Sequence, residues 1–353
     1  MGSGTGNDKA TPTSVLQPAL GTALRDYTRG ELDLAHAALG DPDLHEGVHQ
    51  ARKAIRRARA VLAMGDGLLG PGAGLVDREL RALNDGLSNL RDAHALVEVI
   101  DRLLKRERRD DAREVLQRAR EAAVATRTQV ANIATRSDPG LVSRRGMLEV
   151  LRAALTALDW SRPTSAGLRM AIADSDLRSH EARLHACDGG DDDDWHRWRR
   201  RVRRASHQRR AMEAVGLAAP EDSDRFDKRT THRLGEAQDL ALLLDHCRRD
   251  SPFSKDDRDA LRARARPALR RARRRIARQV AERRDACPTE RPHHHNHAIP
   301  ARRVRPGWHD PVRTARKPVT SCRQCAAPAF PESKNVPVRA RPHRWRFAAG
   351  QLG

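Results

Sequence analysis

The segment Val48–Leu62, VHQARKAIRRARAVL, holds the side chains best suited to chemistry. On a helix advancing roughly 100° per residue, His49, Arg52, Lys53, Arg56, Arg57 and Arg59 share one side. Val48, Ala51, Ala54, Ile55, Ala58, Val61 and Leu62 share the other. No acid falls between His49 and Leu62. A solvated face normally mixes signs, so a stripe of one sign calls for a polyanion against it. Arg brings fixed charge and a fork that fits phosphate oxygens. His, with an unperturbed pKa of about 6.5, can gain charge beside an anion.

The pattern returns. Trp195-His196-Arg197-Trp198-Arg199-Arg200-Arg201-Val202-Arg203-Arg204 repeats the order His-x-x-Arg-basic-x-x-Arg-Arg, with His196 lying 147 residues after His49. Leu87–Asp92 (LSNLRD) and Leu234–Asp239 (LGEAQD) match at the same offset, so His49 to Asp92 and His196 to Asp239 both span 43 residues. Chance similarity between Arg-rich stretches would not keep that second interval. Two related helical bundles of about four helices each follow from such a repeat. In the second copy His196, Arg199, Arg200, Arg203, Arg204, His207 and Arg210 continue the basic stripe, although Ser206 stands where the first copy has Arg59. Asp92 and Asp239 sit on otherwise apolar faces and are expected to hold a groove Arg or His in place rather than touch an anion.

The elements that must carry these residues are helical. Apolar periodicity runs from about Ser14 to Gly40, and Asp43 with Glu46 resembles a capping box for the first basic helix. A long helix is expected over about Leu75–Leu104, then others over 108–135, 141–159 and 165–186. The acidic run 188–194 precedes a basic helix starting near Trp195, where acids suit the helix dipole. Helices over about 224–249 and 255–284 complete the series, with Pro267 expected to kink or divide the last. No strand-like alternation appears, and the fold class is all-α. Residues 1–13 read as a flexible lead and 14–285 as the folded part, with repeat one at about 14–140 and repeat two at about 141–285. Residues 286–353 read as a disordered, basic, Pro-rich tail.

The 353-residue chain carries a formal net charge of +21, which favours an anionic partner: nucleic acid, acidic membrane or a phosphate polymer. Aromatics make up only 3% of the residues, which argues against modules that stack single-stranded bases on rings. No apolar run reaches the roughly 20 residues of a membrane span, and no secretory signal is legible. Five scattered cysteines make no disulfide framework, so a cytoplasmic setting is expected. Cys322-x-x-Cys325 and the His293–His297 cluster offer zinc-type ligands, but one CxxC alone is weak evidence, and no metal site or cofactor is assigned.

The paired HxxRxxxRR helices, each followed by an Lxxx[RQ]D helix, resemble the CHAD family, the conserved histidine α-helical domain. The resemblance spans about residues 14–285 and implies two four-helix bundles related by a pseudo-twofold repeat around a central basic groove. It also implies binding of inorganic polyphosphate and, in bacteria, association with polyphosphate granules. Carried over to this chain, the contacts would be His49, Arg52, Arg56, Arg57, His196, Arg199, Arg203 and Arg204, with Lys53, Arg59 and Arg200 beside them. Some relatives also carry a CYTH-type triphosphatase domain; its Glu-x-Glu-x-Lys signature is not found here. The expectation is a binding module rather than an enzyme. Nonspecific nucleic-acid binding is the main alternative, and a role accessory to a phosphate-polymer hydrolase a weaker one. The oligomeric state is not legible in these patterns.

Overall fold

The computed structural model describes residues 16–218, 228–248 and 251–286. The segments assigned to a flexible lead, to the Pro-rich tail and to the CxxC and histidine cluster lie outside these residues. Ten α-helices form the described part, with no strand among them: α1 (Leu16–Ala38), α2 (Leu44–Met64), α3 (Gly72–Gly86), α4 (Ser88–Arg106), α5 (Asp110–Ser137), α6 (Val142–Thr156), α7 (Ser165–Cys187), α8 (Asp192–Ala214), α9 (Lys228–His246) and α10 (Lys255–Ala286). The 147-residue offset relates α1 to α7, α2 to α8, α4 to α9 and α5 to α10. Neither α3 nor α6 is matched by a whole helix at this offset among the described residues, and α6, which follows a short 3₁₀ turn at Pro139–Leu141, links the two repeats.

The two basic helices start differently. At α2 the Asp43 side chain accepts from the His45 and Glu46 amides, but the Asp43 amide is taken by Asp41 Oδ1 at 2.8 Å. Only half of the expected box therefore forms. A complete capping box sits on α8, where Asp191 and Asp194 satisfy each other's backbone amides. That helix begins at Asp192, three residues before the expected start, so the acids are part of its first turn.

The long helix expected over Leu75–Leu104 is instead two helices, broken at Leu87. Pro267 does not divide α10, which runs through it.

Two of the three cores cross the repeat boundary. The first core joins α1, α2, α3 and α6 to the start of α7 (Leu168, Ile172) and the end of α8 (Ala211, Met212). The second joins Leu96, Val97, Val99 and Ile100 of α4 and Leu116 of α5 to Leu243 of α9 and Leu261 of α10. A third packs Trp195, Trp198 and Val202 of α8 with α7, α9 and α10. The reason lies in α4: four apolar residues within five positions cover nearly half its circumference. One neighbouring helix cannot bury that arc, so both α5 and α9 lie against it.

Candidate functional site

The basic helices meet at equivalent positions. Gln208 of α8 donates through Nε2 to the Ala60 carbonyl of α2 at 3.3 Å, and Gln208 corresponds to Val61 at the repeat offset. Apolar Val48, Ala51, Ala54, Ile55 and Ala58 bury one stripe of α2, while Trp198, Val202 and Ala205 bury the matching stripe of α8. Seated this way, the helices bring Arg52, Arg56, Arg199 and Arg203 within electrostatic reach of one another.

These four cations are largely sequestered. Burial first, then Arg203, Arg52, Arg199 and Arg91, pull the Arg56 guanidinium down to about 8. Arg199 is drawn to about 10 by burial and Arg203, with Asp239 opposing. Arg203 is lowered by burial and by Arg91. Among the described residues no acid pairs directly with Arg56, Arg199 or Arg203, and the Nε atoms of Arg56 and Arg199 are buried without a hydrogen-bond partner. Half-buried cations without counter-ions are costly, and an anion would relieve that cost.

Arg52 is anchored differently. Its Nη1 donates to the Asn84 carbonyl and to Ser88 Oγ at 3.0 Å. The break at Leu87 explains this contact. The Asn84 carbonyl at the end of α3 accepts from the Leu87 amide at 3.3 Å, and Arg52 adds a donor to it from α2.

His207 lies in the same cluster. Burial, then Arg203, Arg56, Arg57 and Arg210, hold its pKa near 3, and its Nε2 is buried without a partner. His49 and His196 are also held below their ordinary value, chiefly by burial. His196 Nδ1 meets Gln238 Oε1 at 2.9 Å, and the residue equivalent to Gln238 is Arg91, which acts electrostatically on His49. The position just before the Asp of each Lxxx[RQ]D motif thus faces the histidine. Asp92 acts on Arg52 and Asp239 on the equivalent Arg199, while Asp239 Oδ2 accepts from Arg102 at 2.6 Å.

Several residues expected in the groove are occupied or elsewhere. Arg57 is buried in an ion pair with Glu31, Nη2 to Oε2 at 2.5 Å and Nε to Oε1 at 2.6 Å. Arg59 makes a two-pronged contact with Asp77 at 2.8 and 3.2 Å. Arg204 neighbours Arg201, Arg59 and Asp77, and Arg200 neighbours Arg197 and Arg201, so both stand apart from the four central arginines. Lys53 is half-buried and Arg210 is exposed beside His207. Arg91, which points its charge at Arg56, Arg199 and Arg203, was not among the expected contacts. Its place inside the repeated motif is the signal that could have found it.

Residues 20–248, well over half of the chain, match the CHAD domain. The chain belongs to the CHAD domain family. A solved CHAD domain from the plant Ricinus communis is similar at 19% sequence identity and a TM-score of 0.47, covering 78% of this chain and 89% of that one. Curated proteins gave no match. The family match covers both basic helices of this CHAD domain and the motif helices α4 and α9. Among the described residues, no helix is long and apolar enough to cross a membrane, and no group of three or more His, Cys, Asp or Glu is placed to hold a metal ion.

Proposed function

We propose that this chain binds inorganic polyphosphate in the basic groove between α2 and α8 and associates with polyphosphate granules. The observation that carries the proposal is the cluster Arg52, Arg56, Arg199 and Arg203, three of whose members have no acidic partner among the described residues. CHAD family membership, which is associated with polyphosphate, supports the choice of anion. Arg52 and Arg56 stand one turn apart, as do Arg199 and Arg203, so each helix offers charge at a rise of about 6 Å. A flexible chain of phosphates has no base edges to read and needs a row of cations. Asp92 and Asp239, behind Arg52 and Arg199, would hold that row in register.

We read the site as binding rather than catalytic. Phosphate-chain cleavage draws on acidic metal ligands or a positioned nucleophile, and the acid nearest Arg199 is engaged with Arg102.

Replacing both Arg52 and Arg56 by Ala should weaken polyphosphate binding by roughly a hundredfold or more, from about 1.5–3 kcal/mol per charge-assisted contact. Arg199→Ala with Arg203→Ala should do the same, and circular dichroism should show helicity retained in both. By analogy with single-stranded nucleic acid, four released counter-ions give a slope of roughly −3 in log affinity against log salt. Parent-like binding by both double variants would sink the groove assignment. Equal or tighter binding of duplex DNA at matched phosphate would favour a nucleic-acid role instead. Phosphate release from polyphosphate that is lost on His49→Ala would overturn the non-enzymatic reading.

A further inference from the structure

One helix of the groove's scaffold is apolar on two opposite faces. Leu168, Ile172, Ala182 and Ala186 of α7 are buried toward the rest of the fold. On the far side Met170, Leu177 and Leu184 are 74%, 58% and 49% exposed, and no described residue covers them. A helix with apolar side chains on two opposite faces still has one of them to cover once the other has packed.

The exposed face has a heptad pattern. Met170, Leu177 and Leu184 stand seven residues apart, and Ala173, His180 and Cys187 each follow three residues behind. Those are the a and d spacings of a two-helix seam, with small or semi-polar d residues that let a second helix come close. Apolar side chains at seven-residue intervals match another helix better than a flat surface or a lipid layer.

Charge points to what that second helix is. The basic excess of the described helices is concentrated on α8 and α10: α8 alone carries eight Arg against four acids. By contrast α7 has three Arg and three acids. Two copies of so basic a chain repel each other, and α7 offers a neutral surface on which they can meet. The flanks also set direction. Antiparallel pairing would set Asp174 against Glu181 of the second copy. Parallel pairing sets Arg169 beside the second copy's Asp174; it also turns Asp176 toward Glu181, but Asp176 is buried in the fold and paired with Arg209.

We infer that two copies of this chain pair in parallel through the exposed face of α7, forming a two-helix seam centred on Leu177. The α7 helix packs on α8 through its other face. Pairing would therefore leave both grooves free, and the inference does not rest on what those grooves bind.

The full chain, with Cys287, Cys322 and Cys325 changed to Ser, is the material for the test, since Cys247 is buried and Cys187 is exposed. Sedimentation should show a dimer, and oxidation with copper phenanthroline should link Cys187 to its copy. Leu177→Glu should weaken dimerisation by about a hundredfold, because a buried Leu is lost from each copy. The cross-link should vanish with it, while circular dichroism and thermal unfolding of the variant stay those of a folded chain. Met170→Glu, two turns away, should act in the same direction and guards against a local effect. A chain monomeric at every concentration overturns the inference, and so does a dimer that survives both substitutions. A dimer broken by Leu177→Glu that never cross-links through Cys187 overturns the parallel arrangement.

Discussion

Arg56 and Arg57 are neighbours in sequence with opposite situations. Arg57 is enclosed with Glu31 of α1, while Arg56 faces other arginines. The basic stripe of α2 is legible from its helical period, yet period alone cannot separate these two. Their difference depends on a carboxylate 26 residues upstream, which reaches Arg57 only once α1 has packed against α2. Removing one member of a buried pair strands the other charge. Glu31→Ala should cost about 3 kcal/mol of stability, measured by urea unfolding. The double change Glu31→Ala with Arg57→Met should recover much of it, because the stranded cation is then gone. Asp77 hides Arg59 by the same long-range logic, whereas the histidine contacts of Gln238 and Arg91 follow the repeat and were open to inspection.

Helix existence was readable from apolar period and punctuation, and most boundaries fall close to those expected. The break at Leu87 was missed because the apolar pattern continues across it, although Asn84-Asp85-Gly86 just before it is a turn signal. A second local constraint sits at the start of α2. A Cβ on Gly47 would stand 2.3 Å from the Ala38 carbonyl, so the α1–α2 approach depends on the missing side chain. Gly47→Ala forces backbone rather than a flexible side chain to move. The expected cost is about 1–3 kcal/mol, seen as a lowered Tm, despite the better helix propensity of Ala. Asp43 caps this same turn, so the displacement would be felt at the groove helix directly.

Across the whole molecule, the repeat was legible but its packing was not. Equal spacing reveals two copies of one pattern; it does not say whether each copy buries its own apolar surface. Leu96 and Ile100 of the first copy share a core with Leu243 and Leu261 of the second. Residues 1–140 expressed alone should therefore fail to give a cooperative unfolding transition, while residues 1–286 should give one. Two folded, independent halves would contradict the shared core.

The crowding of His207 by arginines has a consequence for the heat of binding. Alone in the site its pKa is held at about 3 against an ordinary 6.5, so between those values the ring is neutral in the free protein. A polyanion against Arg203 and Arg56 reverses the local potential and draws that pKa upward. Complex formation within this window then takes up a proton, and affinity rises as pH falls through it. Titration calorimetry at pH 5 in buffers of unlike ionisation enthalpy should register the transfer as a buffer-dependent heat, and His207→Gln should reduce that dependence. The arginine cluster thus makes His207 a proton acceptor on anion binding, with the buffer as a measurable third participant.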